Sequence, residues 1–141
     1  MFKKVLILNF LLGLGFAIAA IPPMKPEIRH SNADLIVDGR VVDVRKTLVD
    51  IGGREHQNWI FTAQVQVSSV QKGPMEPGLI EISWWKPGTR PRGWTGPQGQ
   101  NMVPEVGDVG TFFLRAMNGT PAWSLMEPNG WDKTETVSDQ L

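Results

Sequence analysis

The chain has 141 residues, enough for one domain of usual size but not for two. Its 14 Lys and Arg residues balance its 14 Asp and Glu residues, so the formal net charge is zero. A nucleic-acid-binding protein carries a basic excess over the phosphates that it contacts, and this balance argues against that role. The 15 glycines and 11 prolines interrupt the chain too often for a helical bundle.

Residues 1–19 have the three parts of a secretory signal peptide. Lys3 and Lys4 form the positive start, and an apolar run follows over residues 5–16. Ala17 and Ala19 are the small residues that a signal peptidase reads. The run is shorter than the roughly 20 residues of a membrane-spanning helix. We therefore expect an exported protein, periplasmic or secreted, that is cleaved after Ala19 and is not stably inserted in a membrane.

The chain contains no cysteine. It therefore has neither a disulfide bond nor thiolate chemistry, and no lipid can be attached to a cysteine after the leader. Small exported domains usually compensate for their size with disulfides, so this domain must rely on its apolar core. That usage fits a bacterial exported protein better than an animal extracellular one.

Five segments have the apolar patterning that is typical of β-strands. They are residues 35–44, 59–68, 79–86, 109–117 and 122–126. In the first of them the apolar residues change face just after Gly39, which predicts a bulge or sharp bend in a long strand that serves two sheets.

The rest of the chain lies outside these strands. Residues 20–32 contain three prolines and predict an extended lead-in, and residues 132–141 predict a polar tail. One domain is expected over residues 33–131, with a long loop rich in glycine and proline at residues 87–107.

The number of strands and the absence of a helical pattern predict an all-β fold. We expect a small, five-stranded, closed or partly open barrel of the oligomer-binding (OB) type, with the long loop between strands 3 and 4. The alternative is a β-sandwich, which needs about seven strands. Alternation along the second strand places Phe61, Val65 and Val67 on one apolar face. We expect them to be buried together with residues of the third and fourth strands: Ile80, Ile82, Phe112 and Leu114.

Several short motifs carry a resemblance to a known class. They are residues 33–37, Gly39-Arg40-Val41, Val67 with Val70 and Lys72-Gly73, and Val106-Gly107-Asp108. Over about residues 33–127 the chain resembles exported bacterial proteins related to tissue inhibitors of metalloproteinases and to netrin modules. The resemblance implies a barrel fold. Those inhibitors act through an N-terminal cysteine braced by disulfides, so their activity is not implied for this chain.

The sequence offers little for catalysis. The two histidines, His30 and His56, lack the spaced partners of a catalytic triad or a metal site, so we expect no metal, no cofactor and no enzyme activity. Paired carboxylates of a hydrolase remain an alternative. Most acids lie where solvated strand faces or turns would place them: Asp38, Asp43, Glu81, Glu105 and Asp108.

The distinctive segment is aromatic and basic. Alternation places Trp84 in the core and Trp85 on the opposite face, and Arg90, Arg92 and Trp94 follow within the loop. Indole rings stack on sugars or apolar groups, and Arg pairs with carboxylates or phosphates. Trp85, Arg90, Arg92 and Trp94 are therefore the candidate ligand-binding residues.

These features favour a non-catalytic binding module. Its expected partner is a protein or a cell-envelope glycan. The alternatives are a carboxylate-dependent hydrolase and an inhibitor-like protein, and the second is weakened by the absence of cysteine. The structural alternative for the loop is that Trp94 holds its own loop down and that the arginines are ordinary solvated charges.

Overall fold

The computed structural model describes residues 22–135. This part contains six strands: β1 Leu35–Asp50, β2 Gln57–Lys72, β3 Leu79–Pro87, β4 Val109–Ala116, β5 Trp123–Leu125 and β6 Trp131–Lys133. One short helix, α1, spans Pro26–Asn32. The chain is therefore mostly β, as its patterning predicts. The expected signal peptide at residues 1–19 lies outside the described residues.

Five of the strands form a hydrogen-bonded ring. The order is β1-β2-β3-β5-β4, and β4 pairs again with β1. Every pairing in the ring is antiparallel except that of β3 with β5. Strand β6 pairs with β4. Within residues 22–135 no helix has the length and apolar character needed to cross a membrane.

Strand β1 closes the ring because it pairs on both sides. Its first part, residues 35–40, pairs with β4, whereas residues 36–50 pair with β2. The register with β2 shifts between Asp38 and Gly39 and again between Val41 and Asp43, where the sequence predicts a bulge. A Cβ atom at Gly39 would lie 2.7 Å from the carbonyl oxygen of Gln66, so this approach of β1 to β2 requires glycine.

The core lies inside the ring and contains the residues that alternation places there. Val65, Val67, Ile82, Phe112 and Leu114 are buried, and Phe61 and Ile80 are partly buried and packed against them. Trp84 is also buried, as predicted, and its ring stacks on that of Phe61 with centroids 5.4 Å apart. The inward face of β2 is therefore assigned correctly by its period of two.

The lead-in is only partly extended, which corrects the prediction for residues 20–32. Helix α1 forms over its second half, with Pro26 in the first turn where its missing N–H costs nothing. The helix adjoins a second, smaller apolar cluster, formed by Ala33, Ile36, Phe113 and Met126. A helix of seven residues spans fewer than two turns, which is too short for a recognisable apolar period.

The C-terminal boundary also differs from the prediction. Asp132 and Lys133 belong to β6 rather than to a polar tail beginning at residue 132. The three residues of β6 are too few to show alternation, and for this reason the sequence predicts five strands where residues 22–135 form six.

Candidate functional site

The segment between β3 and β4, residues 88–108, contains neither helix nor strand and is fastened to the ring at its middle. Gln100 is fully buried there. Its side-chain N–H donates to the carbonyl oxygen of Met126, and its side-chain oxygen accepts from the N–H of Gly130 at 3.2 Å. The Lys86 ammonium donates to the carbonyl oxygen of Gln100. The second half of the loop, around Gln100, is thus held by buried polar contacts.

Arg90 lies between the two candidate tryptophans. Its guanidinium carbon is 5.9 Å from the ring centroid of Trp85 and 5.6 Å from that of Trp94. Both distances are within the range of a cation–π interaction. The structure therefore brings Trp85, Arg90 and Trp94 together, as the sequence suggests.

The hydrogen bonds of Arg90 point inward rather than to solvent. Its two terminal nitrogens donate to the carbonyl oxygen of Gln57 and to the side-chain oxygen of Asn58, both at the start of β2. Its Nε is buried and has no hydrogen-bond partner within residues 22–135. These donors are used within the protein, so Arg90 fastens the loop to β2.

Trp85 is half-buried beneath the loop. Its indole N–H donates to the carboxylate of Glu127. Gly99 crosses so closely that a Cβ atom there would lie 2.1 Å from the carbonyl oxygen of Trp85, and Gly99 also has a φ of 71°. Trp85 therefore offers a ligand only part of its ring.

Trp94 is the exposed aromatic residue of the group, with 41% of its surface accessible. Its ring packs at a tilt against His56 in the β1–β2 turn, with centroids 4.6 Å apart. A Cβ atom at Gly96 would overlap the Trp94 ring, so glycine is needed for the loop to fold back on the indole. One side of Trp94 is thus fixed by the protein and the remainder faces solvent.

Arg92 does not join the cluster. It is exposed, and within residues 22–135 its side chain makes no ion pair or hydrogen bond. It follows Arg90 by two residues and precedes Trp94 by two. Its guanidinium donors are therefore free, close in the chain to the exposed indole of Trp94.

Two further contacts of aromatic rings, one at Trp94 and one on β2 away from the loop, are not identified from the sequence. His56, considered only as a catalytic candidate, supports Trp94. Trp59 is half-buried in β2, and the ammonium of Lys46 lies 4.9 Å from its ring centroid. Lys46 lies opposite Phe61 and therefore on the same face as Trp59. The sequence does not show this, because the register of β1 on β2 is visible only in the structure.

Asp38 is the carboxylate with the most hydrogen bonds in the described part of the chain, and its contacts are structural. Ser69, Gln71 and Thr111 all donate to it, at 2.5–3.0 Å. Partial burial raises the pKa of Asp38, but the bonds from Thr111, Gln71 and Ser69 outweigh it and hold the pKa below its ordinary value. A carboxylate saturated in this way joins β1 to β2 and β4 and is a poor general acid or base.

The potential metal ligands among the described residues do not form a cluster. No group of three or more His, Cys, Asp or Glu side chains there could hold a metal ion. His30 lies in α1 and His56 lies in the β1–β2 turn. A shallow groove of about 320 Å³ opens over the β1–β2 bulge, lined by Gly39, Arg40, Val42, Gln66, Ser68 and Val109. This lining contains no catalytic pair.

No protein-family model matches the chain, and no curated protein matches it significantly. The function is therefore inferred from the geometry of the loop and its neighbours.

Proposed function

We propose that this chain is an exported, non-catalytic binding module that contacts its partner through the exposed side of Trp94 and the neighbouring Arg92. The single observation that carries the proposal is that Trp94 is 41% exposed while Arg90 and His56 hold its ring in place. Exposed indole is usually avoided on soluble proteins, so a fixed and exposed one is typical of a contact surface.

Pre-organisation supports this role. A flexible loop loses conformational entropy when it binds, whereas a loop already fastened loses little. Arg90 ties the loop to Gln57 and Asn58, and Gln100 anchors its other half. The ring of Trp85 packs beneath the Arg90 guanidinium. Trp85 and Arg90 are thus positioning residues for the surface that Trp94 and Arg92 present.

The chemistry of the surface favours two kinds of partner. An indole face stacks on a sugar ring or packs against apolar side chains, and a free guanidinium pairs with a carboxylate or a phosphate. A protein or a cell-envelope glycan carrying acidic groups would satisfy both residues. An exported protein, as the first 19 residues predict, would meet such partners in the periplasm or outside the cell.

The fold part of the proposal is an OB-like barrel. It is supported by the ring of five strands with a long first strand shared between two neighbours. The resemblance to the class of tissue inhibitors of metalloproteinases and netrin modules is proposed at the level of fold alone. Inhibition of a zinc protease is not proposed, because the chain has no cysteine to bind the metal.

Capture experiments test the proposal. Immobilised wild type is compared with Trp94→Ala and Arg92→Gln for the material that each retains from envelope extracts. Both variants should lose most of the captured material and keep the wild-type circular dichroism spectrum. Matched controls are Ile28→Ala, an exposed apolar residue of α1, and Arg115→Gln, an exposed arginine of β4. Folded Trp94 and Arg92 variants that capture as wild type does would exclude this surface.

A further inference from the structure

The second half of β1 is paired on one side only. Strand β1 runs from Leu35 to Asp50 and pairs with β2 as far as Asp50, but its pairing with β4 ends at Arg40. Within residues 22–135 no strand pairs with the other side of residues 43–50. An edge of this length presents a row of free backbone N–H and C=O groups.

The hydrogen-bond pattern shows which groups face outward. The N–H of Ile51 donates to the carbonyl oxygen of His56, at 2.9 Å, so these two residues form a bonded pair. The register from Asp43 to Asp50 is regular, and bonded and non-bonded pairs alternate in an antiparallel ladder. The backbone groups of Lys46, Leu48 and Asp50 therefore point away from β2.

We propose that this edge pairs antiparallel with the same edge of a second copy of this chain, on a two-fold axis at Leu48. In this register Lys46 lies directly opposite the partner's Asp50, Asp50 lies opposite the partner's Lys46, and the two Leu48 residues face one another. All three positions have outward backbone groups, so each pair exchanges N–H···O bonds. The product is a continuous sheet across the two copies, with two ion pairs flanking an apolar contact.

The charges select this register over its neighbours. An axis at Lys46 would set two ammonium groups opposite each other, and an axis at Asp50 would set two carboxylates opposite each other. Like charges directly across a strand pair are destabilising, whereas opposite charges and apolar pairs are favourable. The axis at Leu48 sets Lys46 opposite Asp50 on both sides of the axis. An axis at Thr47 or Val49 would instead set Leu48 opposite Lys46 or Asp50 and would form neither ion pair. The edge is self-complementary, which is the property that a two-fold interface requires.

The exposed apolar residues of the edge fit the same partner. Leu48 and Val49 are 41% and 38% exposed, on opposite faces of the strand. Pairing with a second copy covers both, because Thr47 lies opposite the partner's Val49 on one face and Leu48 meets Leu48 on the other. Natural edges are commonly protected by bulges. In β1 the register shifts lie before Asp43, so no bulge interrupts the regular stretch, and its Lys46 and Asp50 charges oppose pairing in every register that does not match them.

Sedimentation equilibrium of the chain as purified from its host tests the proposal. Lys46→Asp and Asp50→Lys should each weaken the dimer about tenfold, since each sets two pairs of like charges across the interface. The double variant Lys46→Asp with Asp50→Lys swaps the charges and should restore the wild-type dissociation constant to within about threefold. Arg45→Asp makes the same charge change at the adjacent position, opposite the partner's Ile51, and should leave the dimer largely intact.

A backbone variant supports the test without changing charge. Leu48→Pro removes an N–H that points away from β2, so the monomer should keep its fold while the dimer is lost. A wild-type chain that is monomeric at every concentration, or a dimer that the double variant fails to restore, would overturn the proposal. The start of the Trp94 loop lies beside this edge, because a Cβ atom at Gly88 would be 3.0 Å from the Leu48 side chain, and His56 of the β1–β2 turn packs against Trp94. Lys46→Asp changes neither contact, so this variant should lose the dimer and still capture as the wild type does, which separates the two proposals.

Discussion

Arg29 and Asp132 lie 103 residues apart in the sequence and join in a two-bonded ion pair, at 3.0 and 2.5 Å. The pair fastens α1 to β6, and the guanidinium carbon also lies 3.9 Å from the ring centroid of Phe113. Arg29 is buried, whereas the Asp132 side chain is 60% exposed. The helix at the start of the domain is thus held by an ion pair between a buried guanidinium and a solvent-exposed carboxylate.

Asp132→Asn should lower the free energy of unfolding by about 1–2 kcal/mol, because the buried guanidinium then lacks its counter-charge. The exposure of Asp132 keeps the loss below that of a fully buried pair. Urea denaturation measures it. Arg45→Gln, which removes an exposed ion pair with Asp43, is the control and should change stability by less than about 0.5 kcal/mol. Equal losses in the two variants would contradict the role of Arg29.

The stability of the protein at acidic pH should depend on the hydrogen-bonded carboxylate of Asp38. Its folded-state pKa lies below the ordinary value of 3.8, so its contribution to stability is present above pH 3.8 and is lost as the pH falls through the folded pKa. The stability of the wild type should therefore fall more steeply below about pH 4 than that of Asp38→Asn, whose side chain does not titrate. Denaturant titrations at several pH values test this, and parallel curves for the two proteins would refute it.

Two aromatic truncations test the core. Phe112 is fully buried, so Phe112→Ala should cost about 3–5 kcal/mol. Phe61 is only partly buried but stacks on Trp84, so Phe61→Ala should cost less, about 2–3 kcal/mol. Gln66→Ala, on the outer face of β2, should change the free energy of unfolding by less than about 0.5 kcal/mol. An unchanged stability for Phe61→Ala would show that the inward face of β2 is assigned wrongly.

Arg90 can be tested as a positioning residue through the mobility of the loop. Arg90→Leu removes the donors to Gln57 and Asn58 and should free the segment around Arg92. Trypsin should then cleave after Arg92 about tenfold faster, because more molecules have the loop open. Glu76→Gln, in the β2–β3 turn, is the control. Cleavage at the wild-type rate in Arg90→Leu would mean that Arg90 does not fasten the loop.

The sequence predicts those features that depend on the local period of the chain. Alternation alone separates Trp84, in the core, from Trp85, on the other face, and the phase change after Gly39 marks the bulge of β1. The proximity of Trp85, Arg90 and Trp94 in the chain also places them in one candidate group.

Features that depend on contacts between distant segments are not predicted. The pairing of β5 with β3 is parallel and very short, so neither strand shows it in its own pattern. Arg90 is predicted as a ligand-binding residue, and the sequence does not show that it also donates to Gln57 and Asn58, which the loop reaches only after β2 and β3 have paired. The helix at Pro26–Asn32 is joined to the rest of the domain through the contacts of Arg29 with Asp132 and Phe113, which are distant in the sequence.

The indole N–H signals of the protein provide the most direct test of the proposed binding surface. The chain has six tryptophans, so its nitrogen-15 NMR spectrum should contain six indole signals, and the loss of one in Trp94→Phe assigns that of Trp94. Addition of the envelope fraction that the wild type captures should shift or broaden the Trp94 signal and leave those of buried Trp84 and Trp131 in place. Binding that leaves the Trp94 signal unchanged would contradict the proposed surface.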